Sequence, residues 1–570
     1  MNYIWKFRQK PDESAVQGLV NNNNIPKSLA RVLLARGISE SAEVKNFFEP
    51  SLDLLHDPFL MEGMDVAVDR IISAINKEEQ IWIHGDYDVD GTASASMLLE
   101  FLREIGGKVG YYIPDRFIDG YGIPRISINK AKQLNTKLLI TVDLGVTSYE
   151  ALEYAAKRGI ETIICDHHEP GETLPPAIAI LDPLKPNCTY PFKNLAACGV
   201  TFKLIQAISK KLSIPDVAFS YLDYVAIASA ADMVPLINEN RILSYFGLKQ
   251  LNENPRPGIK GLLECTNLKV GSITALNIIY SLAPLINAAG RLGDASRAVE
   301  MMTQKNELTA FRIAQELEQE NRRRRIFDEK TFEEAIPMAD KLLKDPDRRS
   351  IVIHSPNWHA GVIGIVASRL VDKYHLPSII LTTMDGLAKG SARSISKFDI
   401  YKALKKCSPL LTEFGGHKHA AGITLEEESV PVLREQFDEI ARSLITDDMI
   451  ENEQFIDTEL DLNELSPNFI QVLRKFAPFG YDNFKPIFLS RGVVSANGIK
   501  VIGNNHIKFR ALQSNFAIDA IGYNLLHKSH FCSDRKPFTI IYHLEETNFF
   551  GHPTIQLRIK DIANEDYSVD

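Results

Sequence analysis

His84 is followed by three aspartates at alternate positions, in the stretch His84-Gly85-Asp86-Tyr87-Asp88-Val89-Asp90-Gly91. Carboxylates crowded in this way repel one another unless a cation neutralises them. The apolar run just before them, 80–83, reads as a buried strand, and a helix-like run over 92–103 follows Gly91. In an open α/β sheet, ligands bind beyond the carboxyl ends of the strands. A polar turn with a solvated capping aspartate would also explain this stretch taken alone. The arrangement recurs, however. Asp143 ends an apolar run over 138–142, Asp166-His167-His168 ends another over 161–165, and Asp232 closes a helix-like run over 217–231. Singly, Asp143 reads as a helix cap, Asp232 as a turn residue and the histidine pair as packing. Together they form a mixed carboxylate and imidazole donor set. It suits Mn²⁺ or Mg²⁺ better than Zn²⁺, since no thiolate takes part. The donors suffice for two ions sharing a bridging carboxylate, an arrangement that clamps the attacking and leaving oxygens of a phosphoryl displacement.

These residues need a scaffold that brings strand ends together. Between 76 and 235 the pattern alternates strands (81–84, 108–113, 138–142, 161–165, 178–181) with helices (92–103, 125–133, 148–157, 197–209, 217–231). Such βα units predict a parallel sheet covered by helices. A helical lead-in over 1–75 is expected to pack on that sheet, and the first α/β domain is expected to run over 76–305. A long polar run over 306–345 reads as a connecting helix. It contains Arg322-Arg323-Arg324-Arg325, which is either a solvated helix face or a phosphate clamp. A second α/β domain is expected over 346–448. Short alternating runs over 449–570 predict a small β-barrel of the OB type. The fold class is therefore α/β, with two α/β domains joined by a long helix and a C-terminal OB-like barrel.

Composition narrows the function classes. With 570 residues, 45% hydrophobic and 24% charged, the chain is an ordinary globular protein of several domains. A net charge of −9 excludes a globally basic nucleic-acid binder, so any such surface is local. The six cysteines are scattered without a CxxC pair, which argues against a zinc ribbon or a disulfide framework and fits a reducing cytoplasm. The N-terminal residues form no apolar signal core, and no uninterrupted apolar stretch reaches about 20 residues, so no membrane span is expected.

Asp166-His167-His168 after its strand, with His84, Asp88 and Asp90 upstream, resembles the DHH phosphoesterase superfamily. Gly415-Gly416-His417 with Ala420-Ala421-Gly422 resembles the DHH-associated domain. Three further segments are similar to RecJ-type single-strand DNA exonucleases: Ala231-Asp232-Met233-Val234-Pro235-Leu236, Asn287-Ala288-Ala289-Gly290-Arg291-Leu292, and the run from His359-Ala360-Gly361 to Ala367. The resemblance spans essentially the whole chain. It implies a 5′→3′ exonuclease that degrades single-stranded DNA to mononucleotides in repair and recombination, using two Mn²⁺ or Mg²⁺ ions. By motif, His84, Asp88 and Asp143 would hold one ion. Asp90, Asp143, His167 and Asp232 would hold the other, with Asp143 bridging. Asp86 and Asp166 would support them, Asp166 orienting an imidazole, and His168 would face the scissile phosphate as donor or acid.

An enzyme that starts at an end must recognise it. Arg116, Ser391 and Arg393 are expected to form a 5′-phosphate pocket, since guanidinium forks match phosphate oxygens. Arg291 and His417 are expected on phosphates nearer the metals, and Tyr121 on a base. Each arginine could instead serve a structural ion pair. The interleaved stretch from Arg474 to Lys485 suits a single-strand groove, or core packing of its phenylalanines. The expected partner is single-stranded DNA with a 5′ end; the resemblance adds single-strand-binding protein and a helicase, and the chain is expected to be monomeric. Two rival readings are a DHH-type phosphodiesterase or phosphatase on short substrates, which would not need the β-domain or connector, and a non-catalytic single-strand DNA scaffold, which should have lost metal ligands.

Overall fold

The chain enters as a strand, β1 (Ile4–Phe7), which pairs in parallel with Glu453–Ile456 near the opposite end of the sequence. This computed structural model describes residues 3–8, 10–116, 118–120, 122–532, 536–549 and 552–569. Residues 1–55, 235–245 and 452–570 form one compact unit; residues 56–234 and 246–451 form another.

The second unit carries the strand-end residues. Its first sheet has the order β3-β2-β4-β5-β6, all parallel: β2 (Gln80–Gly85), β3 (Lys108–Tyr112), β4 (Thr136–Val142), β5 (Glu161–Cys165) and β6 (Ala179–Leu181). The inner strands β2, β4 and β5 are apolar and largely buried on both faces, as parallel strands between helices must be, while the edge strand β3 is only half-buried. Register decides what lines the edge. Gly85 pairs with Val142, Val142 with Cys165 and Cys165 with Leu181. The next residue of each strand is an aspartate, so Asp86, Asp143, Asp166 and Asp182 follow four adjacent strand ends.

The connecting helix runs unbroken from Glu307 to Leu342, capped by Asn306, whose side chain accepts from the Thr309 amide. Its first part packs on the helices Pro257–Thr266 and Ala283–Leu292. Its last turns bury Ala335 and Ala339 against Ile351, Ile363 and Val366 of the second sheet's layer. That sheet has the order β10-β11-β9-β8-β7: β7 (Ile351–His354), β8 (Ser378–Met384), β9 (Leu387–Arg393), β10 (Glu413–Gly416) and β11 (Ala420–Glu426). Only β7 and β8 are parallel.

In the first unit, β12 (Glu453–Ile456) and β13 (Thr458–Glu459) lead into β14 (Phe488–Ile502), β15 (His506–Gln513), β16 (Phe516–Gly522), β17 (Phe538–Phe549) and β18 (His552–Asn564). Strands β14 to β18 close on themselves through the β14–β17 pairing, so the expected small barrel has five strands. The expected helical lead-in divides: its last helix, Met64–Asn76, packs on β4 and β6 of the first sheet, while the helices before residue 55 belong to the other unit. Leu29, Val32 and Leu33 of the helix Lys27–Ala35 share one core with Phe469, Phe476, Phe488 and Ile540. Periodicity identifies an apolar helix face but does not say which of several apolar surfaces receives it. Residues 235–245 join the same unit because Arg241 is buried there. Its guanidinium donates to the carbonyls of Phe47, Lys475, Phe476 and Ala477 and lies 3.8 Å from the Phe47 ring centroid. Within the 474–485 stretch, Phe476 is core and Arg474 pairs with Glu546 at 2.6 Å, leaving Tyr481 and Phe484 exposed.

Removing residues 452–570 therefore strips the cover from the N-terminal helices, at a cost of about 2 kcal/mol for each large apolar side chain uncovered. The truncated chain is expected to be cut rapidly by protease within residues 1–55, while the full chain resists there. Equal protection in both would refute this packing. Among the described residues no helix is long and apolar enough to cross a membrane.

Candidate metal centre and phosphate pocket

The helix Val89–Glu104 begins earlier than its sequence pattern suggests, because Asp88 caps it. The Asp88 carboxylate accepts from the amides of Asp90 and Gly91 at 2.9 and 3.2 Å. The capping role and the metal-site role thus fall on one residue. Gly91 is required by proximity. A Cβ there would lie 2.5 Å from the Asp86 carbonyl oxygen and 2.6 Å from its nitrogen. Asn287 fixes the other side of the turn by accepting from the Val89 amide at 3.1 Å, and Gly290 lets its helix approach the Tyr87 backbone. We expect Gly91→Ala to destabilise the fold by about 3 kcal/mol and to weaken Mn²⁺ binding. Thermal unfolding and metal titration of the same sample would check both.

Asp90 is buried, and its two oxygens accept from the amides of Ala197 and Cys198 at 2.7 and 2.8 Å, at the start of the helix Ala197–Lys211. Asp143 adopts a left-handed backbone with φ of 63°, a conformation aspartate tolerates better than most residues. It is buried, and His167 Nε2 stands 3.3 Å from its Oδ1. The same imidazole nitrogen is 3.8 Å from Asp232 Oδ2 and 3.9 Å from Asp90 Oδ2. Asp232 caps the C-terminus of the helix Leu222–Ala231.

Three sets of donor atoms lie within 4.8 Å of one another: Asp86–Asp88–Asp143, Asp90–His167–Asp232 and Asp143–His167–His168. Asp143 belongs to two of them. Burial first, and then neighbouring carboxylates, push Asp86 up to about 8 and Asp90 to about 7, and raise Asp143 and Asp232 strongly. Such a cluster is stable in its charged form only beside cations. The donor set fits a hard divalent ion, and Asp86 Oδ1 and His84 Nε2 are buried without hydrogen-bond partners among the described residues. His84 is outside the three sets. Its Nδ1 lies 2.8 Å from Ser127 Oγ and its ring stacks on Tyr112. The two neighbouring thiols do not compete as ligands, since burial raises both Cys165 and Cys198.

Asp166 is a buried hub. It accepts from the amides of Val146, His167 and His168 and from His168 Nδ1, the last at 2.7 Å. These bonds hold its carboxyl below the ordinary range although burial opposes them. In return, Asp166 raises His168 to about 9 against the opposing pull of burial. His168 stacks on His417 with centroids 6.2 Å apart and planes at 17°. That contact joins the two α/β domains across the site.

The arginines form a second cluster. Ser391 and Arg393 lie two apart on β9 and so share a face; Arg393 Nη1 donates to Ser391 Oγ at 3.0 Å. Gly364 leaves room for both, since a Cβ there would lie 2.9 Å from Ser391 Oγ and 3.1 Å from Arg393 Nη2. Burial lowers Arg393, and Arg116 adds repulsion. Burial first, and then the neighbouring Arg116, Arg324 and Arg393, bring Arg291 down to about 10. Arg116 rests over the Tyr87 ring at 5.3 Å, and Arg291 Nη1 donates to the Gly361 carbonyl at 3.3 Å. Partly buried cations arranged around one another in this way suit a polyanionic ligand. Tyr121 lies outside the described residues. Sequence reasoning missed Asp182, buried after β6 with Oδ2 unpartnered among the described residues. The signal was available, since it ends the run 178–181 as Asp143 ends 138–142. It also missed Ser127 and Asn287 as supports, which carry no local signature.

Residues 80–229 match the DHH family N-terminal domain, 348–443 the DHHA1 domain and 456–561 the RecJ OB domain. The chain is 36% identical to the single-stranded-DNA-specific exonuclease RecJ of Bacillus subtilis over 99% of its own length and 71% of the relative's. It is 32% identical to that of Dickeya dadantii, covering 99% of this chain and all of the relative (100%). The crystal structure of RecJ in complex with Mn²⁺ from Thermus thermophilus superposes with a TM-score of 0.85 at 26% identity, covering 99% of this chain and 80% of that one. A structure of exonuclease RecJ bound to manganese is similar at a TM-score of 0.61 and 31% identity, covering 70% of this chain and 97% of that one.

Proposed function

The chain belongs to the RecJ family of single-stranded-DNA-specific exonucleases, and from that premise we propose that it hydrolyses single-stranded DNA from the 5′ end to mononucleotides at a centre for two Mn²⁺ or Mg²⁺ ions. The observation that carries this reading is the juxtaposition of a carboxylate and imidazole cluster with a pocket of half-buried arginines. His84, Asp88 and Asp143 would hold one ion, with Asp86 as a further donor from the same cluster. Asp90, Asp143, His167 and Asp232 would hold the other, and Asp143 would be shared by both. When bound, the two cations supply Lewis-acid polarisation of the phosphodiester and stabilise charge on its oxygens.

The remaining steps belong to the chain's own groups. Arg116, Ser391 and Arg393 grip the terminal 5′-phosphate and so fix which phosphodiester reaches the metals. Arg291 and His417 contact the next phosphate, and Tyr121 stacks on a base. His168, oriented by Asp166 through Nδ1, donates to the scissile phosphate and carries a proton towards the leaving oxygen. The passage between the two α/β domains admits one strand, and the OB barrel holds the incoming DNA. The family resemblance further implies a monomeric cytoplasmic enzyme of repair and recombination that works with single-strand-binding protein and a helicase.

A time course on end-labelled single strands with Mn²⁺ or Mg²⁺ tests the reading. A 5′ label is expected to leave first, as mononucleotide, while a 3′ label stays on progressively shortened chains. The reverse order would overturn the direction, and internal fragments would overturn exonucleolytic cleavage.

A further inference from the structure

Two stretches take no part in the reaction above: the Arg322–Arg325 run on the connecting helix, and His359 ahead of Gly361. Phe327, just after the arginine run, meets His359 in the unit that carries the metal centre. Phe327 stacks on the His359 imidazole with centroids 5.1 Å apart and planes only 19° from parallel. The imidazole is itself held, because Nδ1 accepts from the Gly361 amide at 3.0 Å and caps the helix Ala360–Tyr374. The Gly361 carbonyl is the acceptor for Arg291, so the stack is tied to the phosphate pocket through one residue. With one face on His359, Phe327 remains 41% exposed.

Its position on the helix explains the exposure. Upstream, Ile313, Ala314 and Leu317 are buried; downstream, Ala335 and Ala339 are buried against the second α/β domain. The turns between them bridge the two domains and carry Arg323, Arg324, Arg325, Ile326 and Phe327. Arg324 precedes Phe327 by one helical turn and so lies on the same side of the helix. Its Nε donates to the buried Asn321 at 3.0 Å, which holds the guanidinium in place. Downstream, Asp328 is committed to Arg369 at 3.2 Å. Basic groups beside an open aromatic face are what a single nucleic-acid strand binds: phosphates take the cations, and a base of any identity takes the ring.

We propose that Phe327, backed by His359, and Arg324 form a nucleotide subsite, in which Phe327 stacks a base of the DNA strand and Arg324 contacts a backbone phosphate. This rests on the exonuclease reading. With the 5′-phosphate held by Arg116, Ser391 and Arg393, every additional nucleotide lies on the 3′ side, so the subsite serves the incoming strand and not the departing nucleotide.

The test compares a 5′-phosphorylated dinucleotide with a 5′-phosphorylated oligothymidylate of about 20 nucleotides, longer than one single-strand site, using the full chain with Mn²⁺. Phe327→Ala is expected to raise KM for the long strand about tenfold and to leave kcat/KM for the dinucleotide within about twofold of wild type, since the proposed subsite takes a base of the incoming strand beyond the first two nucleotides. Phe327→Trp should restore the long-strand value. Arg324→Gln should reduce the salt dependence of the long-strand KM by about 0.7 in the log–log slope, the loss of one phosphate contact. Equal losses on both substrates, or no change on the long strand, would overturn the subsite while leaving the exonuclease reading intact. A wild-type protein that degrades neither substrate would overturn the exonuclease reading, and the subsite with it.

Discussion

Asp143→Asn is expected to lower kcat on single-stranded DNA by at least about 10³-fold while leaving the protein folded. Asparagine is the appropriate replacement because the backbone there has φ of 63°, which asparagine accepts and alanine resists. Asp143 stands in two of the three donor sets, so its loss is felt at both proposed ions. The metal-free variant should be at least as stable as wild type. Burial and then Asp90, Asp88, Asp86 and Asp232 all disfavour the charged form of Asp143, so removing that charge relieves repulsion.

The sign can be followed with pH. In the metal-free fold Asp86 is raised to about 8 and Asp90 to about 7. The unfolded chain gives up the same protons near pH 4, the ordinary range of about 3.9. Between those limits the unfolded state binds fewer protons, so stability falls as pH rises through the window. The melting temperature in chelator should therefore drop from about pH 4 to about pH 8, less steeply in Asp143→Asn. Mn²⁺ should reverse the trend in wild type. Near-normal Mn²⁺-dependent cleavage by Asp143→Asn would sink the two-ion reading, and a flat melting profile in chelator would sink the electrostatic account.

The second large effect concerns the end of the strand. Arg393→Ala is expected to lower kcat/KM on a 5′-phosphorylated strand by about 10²-fold, the scale of charge-assisted hydrogen bonds to a buried phosphate. The same strand bearing a 5′-hydroxyl should lose far less, because it never engages that pocket. Ser391 shares the face of β9 and is bonded to Arg393, so Ser391→Ala should move the same ratio in the same direction by a smaller factor. Equal loss on 5′-phosphate and 5′-hydroxyl strands would count against a phosphate pocket and favour a packing role for Arg393.

The chemistry was legible in the sequence wherever it is local. Aspartates directly after apolar runs mark strand ends, and alternating βα patterning implies that those ends share one edge. Asp88, Asp143, His167 and Asp232 could therefore be gathered into one donor set from the sequence. The barrel strands and the connecting helix were legible for the same reason, since period and composition are properties of neighbouring residues. The tertiary structure alone decided what depends on residues far apart in the chain. Register aligned Asp182 with Asp143 and Asp166 and drew Asp86 into a cluster with Asp88 and Asp143. Packing sent the helix Lys27–Ala35 to Phe469 and Phe488, while the helix Met64–Asn76 went to the first sheet. It also set Phe327 on His359, one residue's bond away from Arg291. An apolar face or a guanidinium is written into a short stretch of sequence, but its partner is chosen by the competition among all the surfaces the chain offers, and that choice is made only when the whole fold closes.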